Sequence, residues 1–245
     1  NAFHSNTTRA EGLGMDVGLG HTRGLQRLVD LAHGATVGYE ALVRWHHPRK
    51  GAVAPADFLA VAETTGMIVP IGAWVLRQAC LQASVWPQSI AIAVNLSPSQ
   101  FKSGDLVTIV QKALRDSCLA ASRLTLEITE TTLLEKSEEN LLVLEELRAW
   151  RDRPPLIIDE SDGEVGDLPR ALQLGYVGTS HKNCKGIVKG IANACLLAQR
   201  RAQGQAGLLT GEDLANLGPV ALLPSVLYGI DGLERAFIFG AWAAR

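Results

Sequence analysis

The chain has 245 residues, of which 47% are hydrophobic and 20% charged, so it can bury the core of one large domain or two small ones, and disorder is excluded over most of its length. Its 23 basic and 25 acidic side chains give a net charge of -2, which excludes a general role in coating nucleic acid, and we expect no DNA partner. The four cysteines are widely spaced, and no apolar run approaches the ~18 residues of a membrane span. We therefore expect reduced thiols, no membrane span and a cytoplasmic location.

Short apolar runs alternate with helical patterns along most of the chain. Residues 1–24 have little periodicity and no apolar signal-peptide core, so we interpret them as a loose leader. Strands are predicted at 37–45, 90–95, 124–129, 156–158, 177–180 and 208–209, with further apolar runs at 219–226 and 236–239. Helices are predicted at 55–65, 71–86, 105–117, 137–151, 168–174 and 186–201.

Repeated strand–helix units indicate a parallel sheet covered by helices. Roughly eight such units after residue 24 predict a single α/β domain over residues 25–245, a (β/α)8 TIM-like barrel of the usual ~250-residue size. A doubly wound sheet is the alternative, but it normally has a glycine-rich first turn after its first strand. Gly18-Leu19-Gly20 is the nearest match and no predicted strand precedes it, so the barrel is favoured.

Polar residues lie at or near the ends of successive predicted strands, where a barrel carries its chemistry. They are Glu40, Asn95, Glu127 and Asp159, with Glu160 directly following. Three carboxylates and a carboxamide would form an oxygen-rich site, which favours Mg²⁺ or Mn²⁺ over zinc. The alternative for Glu40 is a salt bridge, for example to Arg44.

Two lysines near the sixth predicted strand have different expected roles. Lys182 lies where this strand should end and could face the oxygen-rich site, whereas Lys189 is interpreted as part of a solvated helix start. His46 and His47 are adjacent, so their side chains should point apart, and we do not expect them to bind a metal jointly.

Residues 26–151 closely resemble the bacterial EAL domain, through a series of motifs. They include Glu40-Ala41-Leu42-Val43-Arg44-Trp45, Val94-Asn95-Leu96-Ser97-Pro98 and Leu126-Glu127-Ile128-Thr129-Glu130. The resemblance implies a TIM-like barrel that hydrolyses one phosphodiester bond of cyclic di-GMP with Mg²⁺ or Mn²⁺. It further implies that Glu40, Asn95 and Glu127 are metal ligands, that Arg44 holds a substrate phosphate and that Gln26 contacts the nucleotide.

The second half departs from that family pattern. Where the family has an Asp-Asp-Phe-Gly segment, the chain has Asp159-Glu160-Ser161-Asp162-Gly163, and the glycine-rich loop that follows in the family is missing. Residues 154–245 resemble instead the C-terminal half of an enolase-superfamily barrel, in which a fifth-strand carboxylate binds Mg²⁺ and a sixth-strand lysine abstracts a proton. We therefore expect an EAL-like half (25–153) joined at Pro154-Pro155 to an enolase-like half, as in a recombined chimera.

Four functions follow from these patterns. The first is a weakened, metal-dependent cyclic di-GMP phosphodiesterase, in which Glu40, Asn95, Glu127 and Asp159 bind metal, Glu160 holds a second ion, and Lys182 steadies the charge or the water. The others are a non-catalytic module that binds a cyclic dinucleotide, an enolase-like lyase or racemase with Lys182 or Lys185 as base, and a scaffold without native activity. The sequence leaves the oligomeric state open, with a homodimer as one expectation.

Overall fold

A computed structural model describes residues 15–16, 25–30, 33–129, 138–159, 164, 166–182, 187–212 and 236–237 of the chain. Eight of its strands close into a barrel. The barrel strands are β2 (Leu25–Val29), β3 (Thr36–Ala41), β6 (Ala91–Leu96), β7 (Leu124–Thr129), β8 (Leu156–Asp159), β9 (Gly178–Lys182), β10 (Leu208–Glu212) and β11 (Ala236–Phe237). Around the barrel they follow the order β10-β11-β2-β3-β6-β7-β8-β9. The predicted TIM-like barrel is confirmed. The apolar run at 219–226 lies outside the described residues.

Helices connect and cover these strands. They are α1 (Pro55–Thr64), α2 (Ile68–Ser84), α3 (Pro98–Lys102), α4 (Leu106–Ser117), α5 (Glu138–Ala149), α6 (Asp167–Gln173) and α7 (Ile187–Ala202). Local sequence explains two of the helix starts. Pro55 supplies the fixed φ of the first turn of α1, and Ser97 and Gln100 form a reciprocal capping box at the start of α3. Within the described part of the chain, no helix has both the length and the apolar character to cross a membrane.

The second strand in the chain corrects the expectation of a wholly parallel sheet. β2 pairs antiparallel with β3 on one side and with β11 on the other. Residues 30–35 alone separate β2 from β3, whereas parallel neighbours need a crossover of about a dozen residues or more. A hairpin is therefore the connection that the chain length permits, and Gly34 turns it at a φ of +66°.

A small second sheet lies beside the barrel. The segment predicted as one strand at 37–45 divides into β3 and β4 (Arg44–His47), and β4 pairs with β5 (Gly51–Val53) and β1 (Met15–Asp16). Met15–Asp16 is the part of the predicted leader that the structure describes. These two residues form a paired strand, whereas the sequence had predicted a loose segment there. The Trp45 ring packs edge-on against Phe58 of α1 at 5.7 Å, so this sheet contacts the helical layer.

The main apolar core lies between the barrel wall and the helices. The helix α2 presents one apolar face to this core, because Leu76, Ala79 and Ala83 are all fully buried. They belong to one cluster with strand residues such as Ile92 and Leu126. Because side chains alternate along a strand, residues between these outward-facing positions point into the barrel.

Arg123 is a buried cation in the short 3-10 helix that leads into β7. Its guanidinium donates to the Ile90 carbonyl from Nε at 3.0 Å and from Nη2 at 2.8 Å, and to the Ala83 carbonyl at the end of α2 at 2.6 Å. Both acceptors belong to backbone that leads into β6. Arg123 therefore holds the end of α2 against the start of that strand.

Replacing Arg123 with Met should lower the free energy of unfolding by about 2–3 kcal/mol, since charged donors to two carbonyls are lost. Urea denaturation measures this loss. Arg77→Met is the control, because its contact with Asp116 is 3.8 Å long and exposed, and its loss should cost less than about 1 kcal/mol. Equal effects of the two substitutions would contradict the role given to Arg123.

Cys118 ends α4 in a left-handed conformation, with a φ of 55°. A side chain is disfavoured there, so Cys118→Gly should raise the free energy of unfolding by about 0.5–1 kcal/mol. Cys195 is also exposed but lies within α7, where Cys195→Gly should lower the free energy of unfolding by about 0.3 kcal/mol. Thermal denaturation of both variants checks the opposite signs, and a destabilised Cys118→Gly variant would contradict the prediction.

Candidate functional site

The four predicted oxygen ligands lie on the inward face of neighbouring barrel strands. Asn95 of β6 is directly opposite Glu127 of β7, and Glu40 of β3 is opposite Ala93, two residues before Asn95. Asp159 of β8 is opposite Thr129, two residues beyond Glu127. Directly opposed residues share a face and side chains alternate, so all four point into the barrel near the carboxyl ends of their strands.

Glu40 and Asn95 are in direct contact. The amide Nδ2 of Asn95 donates to Oε1 of Glu40 at 2.5 Å. This bond directs the other amide atom, Oδ1, away from the Glu40 carboxylate. Asn95 is exposed whereas Glu40 is 5% exposed, so the pair extends from the barrel mouth to its interior.

The other two carboxylates are also buried. Glu127 is 1% exposed and Asp159 is 6% exposed. Burying three acidic side chains at one end of a barrel is costly, and a bound divalent cation is one arrangement that offsets this cost. Among the described residues, no group of three or more His, Cys, Asp or Glu side chains is already placed to hold a metal. Glu40, Glu127 and Asp159 therefore share the inward face without forming a preassembled three-ligand metal site.

Arg44 and Gln26 supply nitrogen groups near these oxygens. Burial lowers the pKa of the half-buried Arg44 guanidinium, and the Coulombic attraction of Glu40 opposes that shift. Gln26 lies directly opposite Glu40 in the antiparallel pair, so its side chain shares the inward face. Its Nε2 is buried and has no hydrogen-bond acceptor among the described residues. Both residues can therefore meet a ligand that enters the barrel mouth.

Two further residues with predicted roles, Lys182 and Glu160, lie partly or wholly outside the described residues. Lys182 ends β9 opposite Glu212 of β10, which places its backbone at the carboxyl end of the barrel. Its side chain, and the whole of Glu160, lie outside the described residues. Their roles as charge-stabilising group and second metal ligand remain predictions.

Sequence reasoning missed three buried polar residues at this end of the barrel. Ser180 and Thr210 are 1% and 2% exposed and occupy inward positions of β9 and β10. The alternation of Gly178, Ser180 and Lys182 along β9 was the available signal. Lys189 was expected at a solvated helix start, but it is 6% exposed, on a helix that contacts β9 and β10.

The chain matches the family model described as "EAL domain" over residues 25–152. It is 45% identical over 121 residues to the bifunctional diguanylate cyclase/cyclic di-GMP phosphodiesterase MucR of Pseudomonas aeruginosa, an alignment that covers 48% of this chain and 18% of MucR. It is 40% identical over 207 residues to the oxygen sensor protein DosP of Escherichia coli, covering 82% of this chain and 24% of DosP. The chain thus spans less than a quarter of the length of either relative.

Among solved structures, the "PaMucR Phosphodiesterase, c-di-GMP complex" superposes with a TM-score of 0.70 at 29% identity, covering 87% of each chain. That coverage and the DosP alignment both extend well past Pro154-Pro155. The expected enolase-like half over 154–245 and the chimera have no support, since the C-terminal strands continue the same closed barrel as the N-terminal ones. The short motifs that suggested an enolase-like half do not outweigh this continuity, and the chain belongs to the EAL domain family.

Proposed function

We propose that this chain binds cyclic di-GMP at the carboxyl end of its barrel and hydrolyses one phosphodiester bond with the help of Mg²⁺ or Mn²⁺. The observation that carries the proposal is the inward-facing set of Glu40, Asn95, Glu127 and Asp159, in a chain that belongs to the EAL domain family. The likeness to MucR, whose structure was solved with c-di-GMP, supports the choice of ligand.

The donor set suits a hard divalent cation. Carboxylate and carboxamide oxygens are the ligands that Mg²⁺ and Mn²⁺ prefer, and Oδ1 of Asn95 is held away from Glu40 by the hydrogen bond between the two side chains. Glu40, Asn95, Glu127 and Asp159 would hold a first ion, and Glu160 a second. When bound, such ions polarise phosphoryl oxygens and lower the pKa of water.

The surrounding side chains bind and orient the dinucleotide. The Arg44 guanidinium neutralises a substrate phosphate, since it lies close enough to the Glu40 carboxylate for Coulombic attraction to raise its pKa against the effect of burial. Nε2 of Gln26 donates to a nucleotide oxygen or ring nitrogen, which satisfies a buried donor. Lys182 steadies the negative charge that builds up on the phosphoryl group.

We further propose that turnover is weakened by Glu160. Its side chain is one methylene longer than the aspartate of the family pattern and displaces the carboxylate by roughly 1 Å, a shift that can cost about 10²-fold in rate. Binding is affected less, because Arg44 and Gln26 lie on other strands. Glu160→Asp should then raise kcat up to about 10²-fold with little change in the Kd for cyclic di-GMP.

The experiment is incubation of the chain with cyclic di-GMP and Mn²⁺, with chromatography of the linear dinucleotide and a separate titration of binding. Slow, Mn²⁺-dependent cleavage that Glu160→Asp accelerates supports the weakened phosphodiesterase. Tight binding without cleavage in either variant would replace it with the non-catalytic binding module. Absence of binding would refute both.

A further inference from the structure

Two hydroxyl groups lie side by side on neighbouring strands inside the barrel. Ser180 of β9 and Thr210 of β10 are direct partners in a parallel ladder, and both are almost completely buried. The residues one position earlier, Thr179 and Leu209, are also paired. Leu209 packs in a cluster with Leu168 of α6 and Leu197 of α7, so it points outward. Ser180 and Thr210 therefore point into the barrel.

Neither hydroxyl has a hydrogen-bond partner in the part of the chain that the structure describes. Ser180 Oγ and Thr210 Oγ1 are both buried without one. The outward Thr179 differs, because its hydroxyl contacts the Ile158 and Ser180 carbonyls at 3.4 and 3.3 Å. Buried hydroxyls are rarely left unbonded, since desolvation without a compensating bond is unfavourable. The described protein atoms therefore leave both inward hydroxyls without the hydrogen bonds that buried hydroxyls normally make.

The pair lies in one row with a predicted metal ligand. Ile158 of β8 is opposite Thr179, so the following residues, Asp159 and Ser180, come next to each other on the inward face. With Thr210 they form a row across three adjacent strands, whose backbones are about 4.8 Å apart. At this spacing a single small molecule can reach two neighbouring side chains.

On these three strands, the inward positions below this row, towards the amino ends, are apolar and closely packed. Ile157, Gly178 and Leu208 occupy the preceding inward positions, and a Cβ on Gly178 would overlap the Leu208 carbonyl. Above it lie Lys182 and Glu212, the last pair of their ladder. On β9 and β10, the two hydroxyls therefore form the floor of the candidate site.

We propose that Ser180 and Thr210 bind ordered water at this floor and that the water donates a hydrogen bond to Asp159, fixing the orientation of its carboxylate. Each hydroxyl offers one donor and two acceptor positions, and water is the ligand that both donates and accepts at such a site. Ser180 and Thr210 are thus positioning residues, which act on a metal through the ligand that binds it. The hydration site itself does not depend on the proposed function, whereas its effect on Asp159 rests on it.

The test uses the double variant Ser180→Ala/Thr210→Val and the control Thr179→Val, which removes a buried hydroxyl from the opposite face of the same strand. Titration of the metal-free protein with Mn²⁺ should give a Kd about 10-fold higher for the double variant than for the wild type. Thr179→Val should leave this Kd unchanged. A Kd that is equal in the double variant and the wild type would overturn the positioning role.

A high-resolution crystal structure of the metal-free wild type provides the second readout. We expect a water within hydrogen-bond distance of both hydroxyl oxygens, and a dry floor or a direct hydroxyl–hydroxyl bond would overturn the hydration site. If the wild type binds no Mn²⁺, the proposed metal site fails, and this structure still decides whether the floor binds water. The two failures are therefore distinguishable.

Discussion

Glu127→Gln is expected to lower Mn²⁺-dependent cleavage of cyclic di-GMP by about 10²- to 10³-fold, the range found when one preorganised charge-stabilising group is removed. The substitution keeps the volume of a side chain that is 1% exposed and lies between the fully buried Leu126 and Ile128. It removes the negative charge that a divalent cation needs. Initial rates at saturating Mn²⁺ measure the loss.

The metal-free protein separates this role from a structural one. Glu127→Gln removes a buried negative charge from the barrel end that also holds Glu40 and Asp159, so its melting temperature without metal should equal or exceed that of the wild type. Glu145→Gln, on the exposed side of α5, is the matched control and should change neither rate nor stability. A loss of rate that follows a loss of metal-free stability would count against metal binding by Glu127.

Gly178→Val should prevent the barrel from folding, with a loss of about 4 kcal/mol or more in the free energy of unfolding. Gly178 is opposite Leu208 in the ladder between β9 and β10, and an added Cβ would overlap the Leu208 carbonyl oxygen and carbon. These are backbone atoms, so no side-chain rotation relieves the overlap. The two strands would have to separate, which breaks the ladder that Ser180 and Lys182 depend on.

Circular dichroism and urea denaturation of Gly178→Val measure this effect. Gly166→Val is the control: its φ is -82°, it is exposed, and nothing lies within 4 Å of an added Cβ. Because Gly166 is the N-cap of α6, where Val is disfavoured, this substitution should lower the free energy of unfolding by about 1 kcal/mol, well below the loss expected for Gly178→Val. A Gly178→Val variant as stable as this control would show that β9 and β10 do not approach as closely as the structure has them.

The helices could be predicted closely because their signals are local. The helix predicted at 105–117 is observed at Leu106–Ser117, and the one predicted at 137–151 at Glu138–Ala149. Apolar residues spaced at three and four positions identify a buried face without any knowledge of what it packs against. The strand containing Gln26 was not predicted as a separate element, because a five-residue strand in a hairpin has little periodicity of its own.

The sequence by itself determined the alternation of strands and helices, the barrel, and the polar residues at strand ends, because these follow from periodicity and from motif resemblance. Only the tertiary structure decided that β2 runs antiparallel, that Asn95 bonds to Glu40 and that Ser180 shares a row with Asp159. It also supports a continuous barrel where short motifs had suggested an enolase-like half. Register between strands distant in sequence sets these contacts, since a shift of one residue would turn each of these side chains to the opposite face.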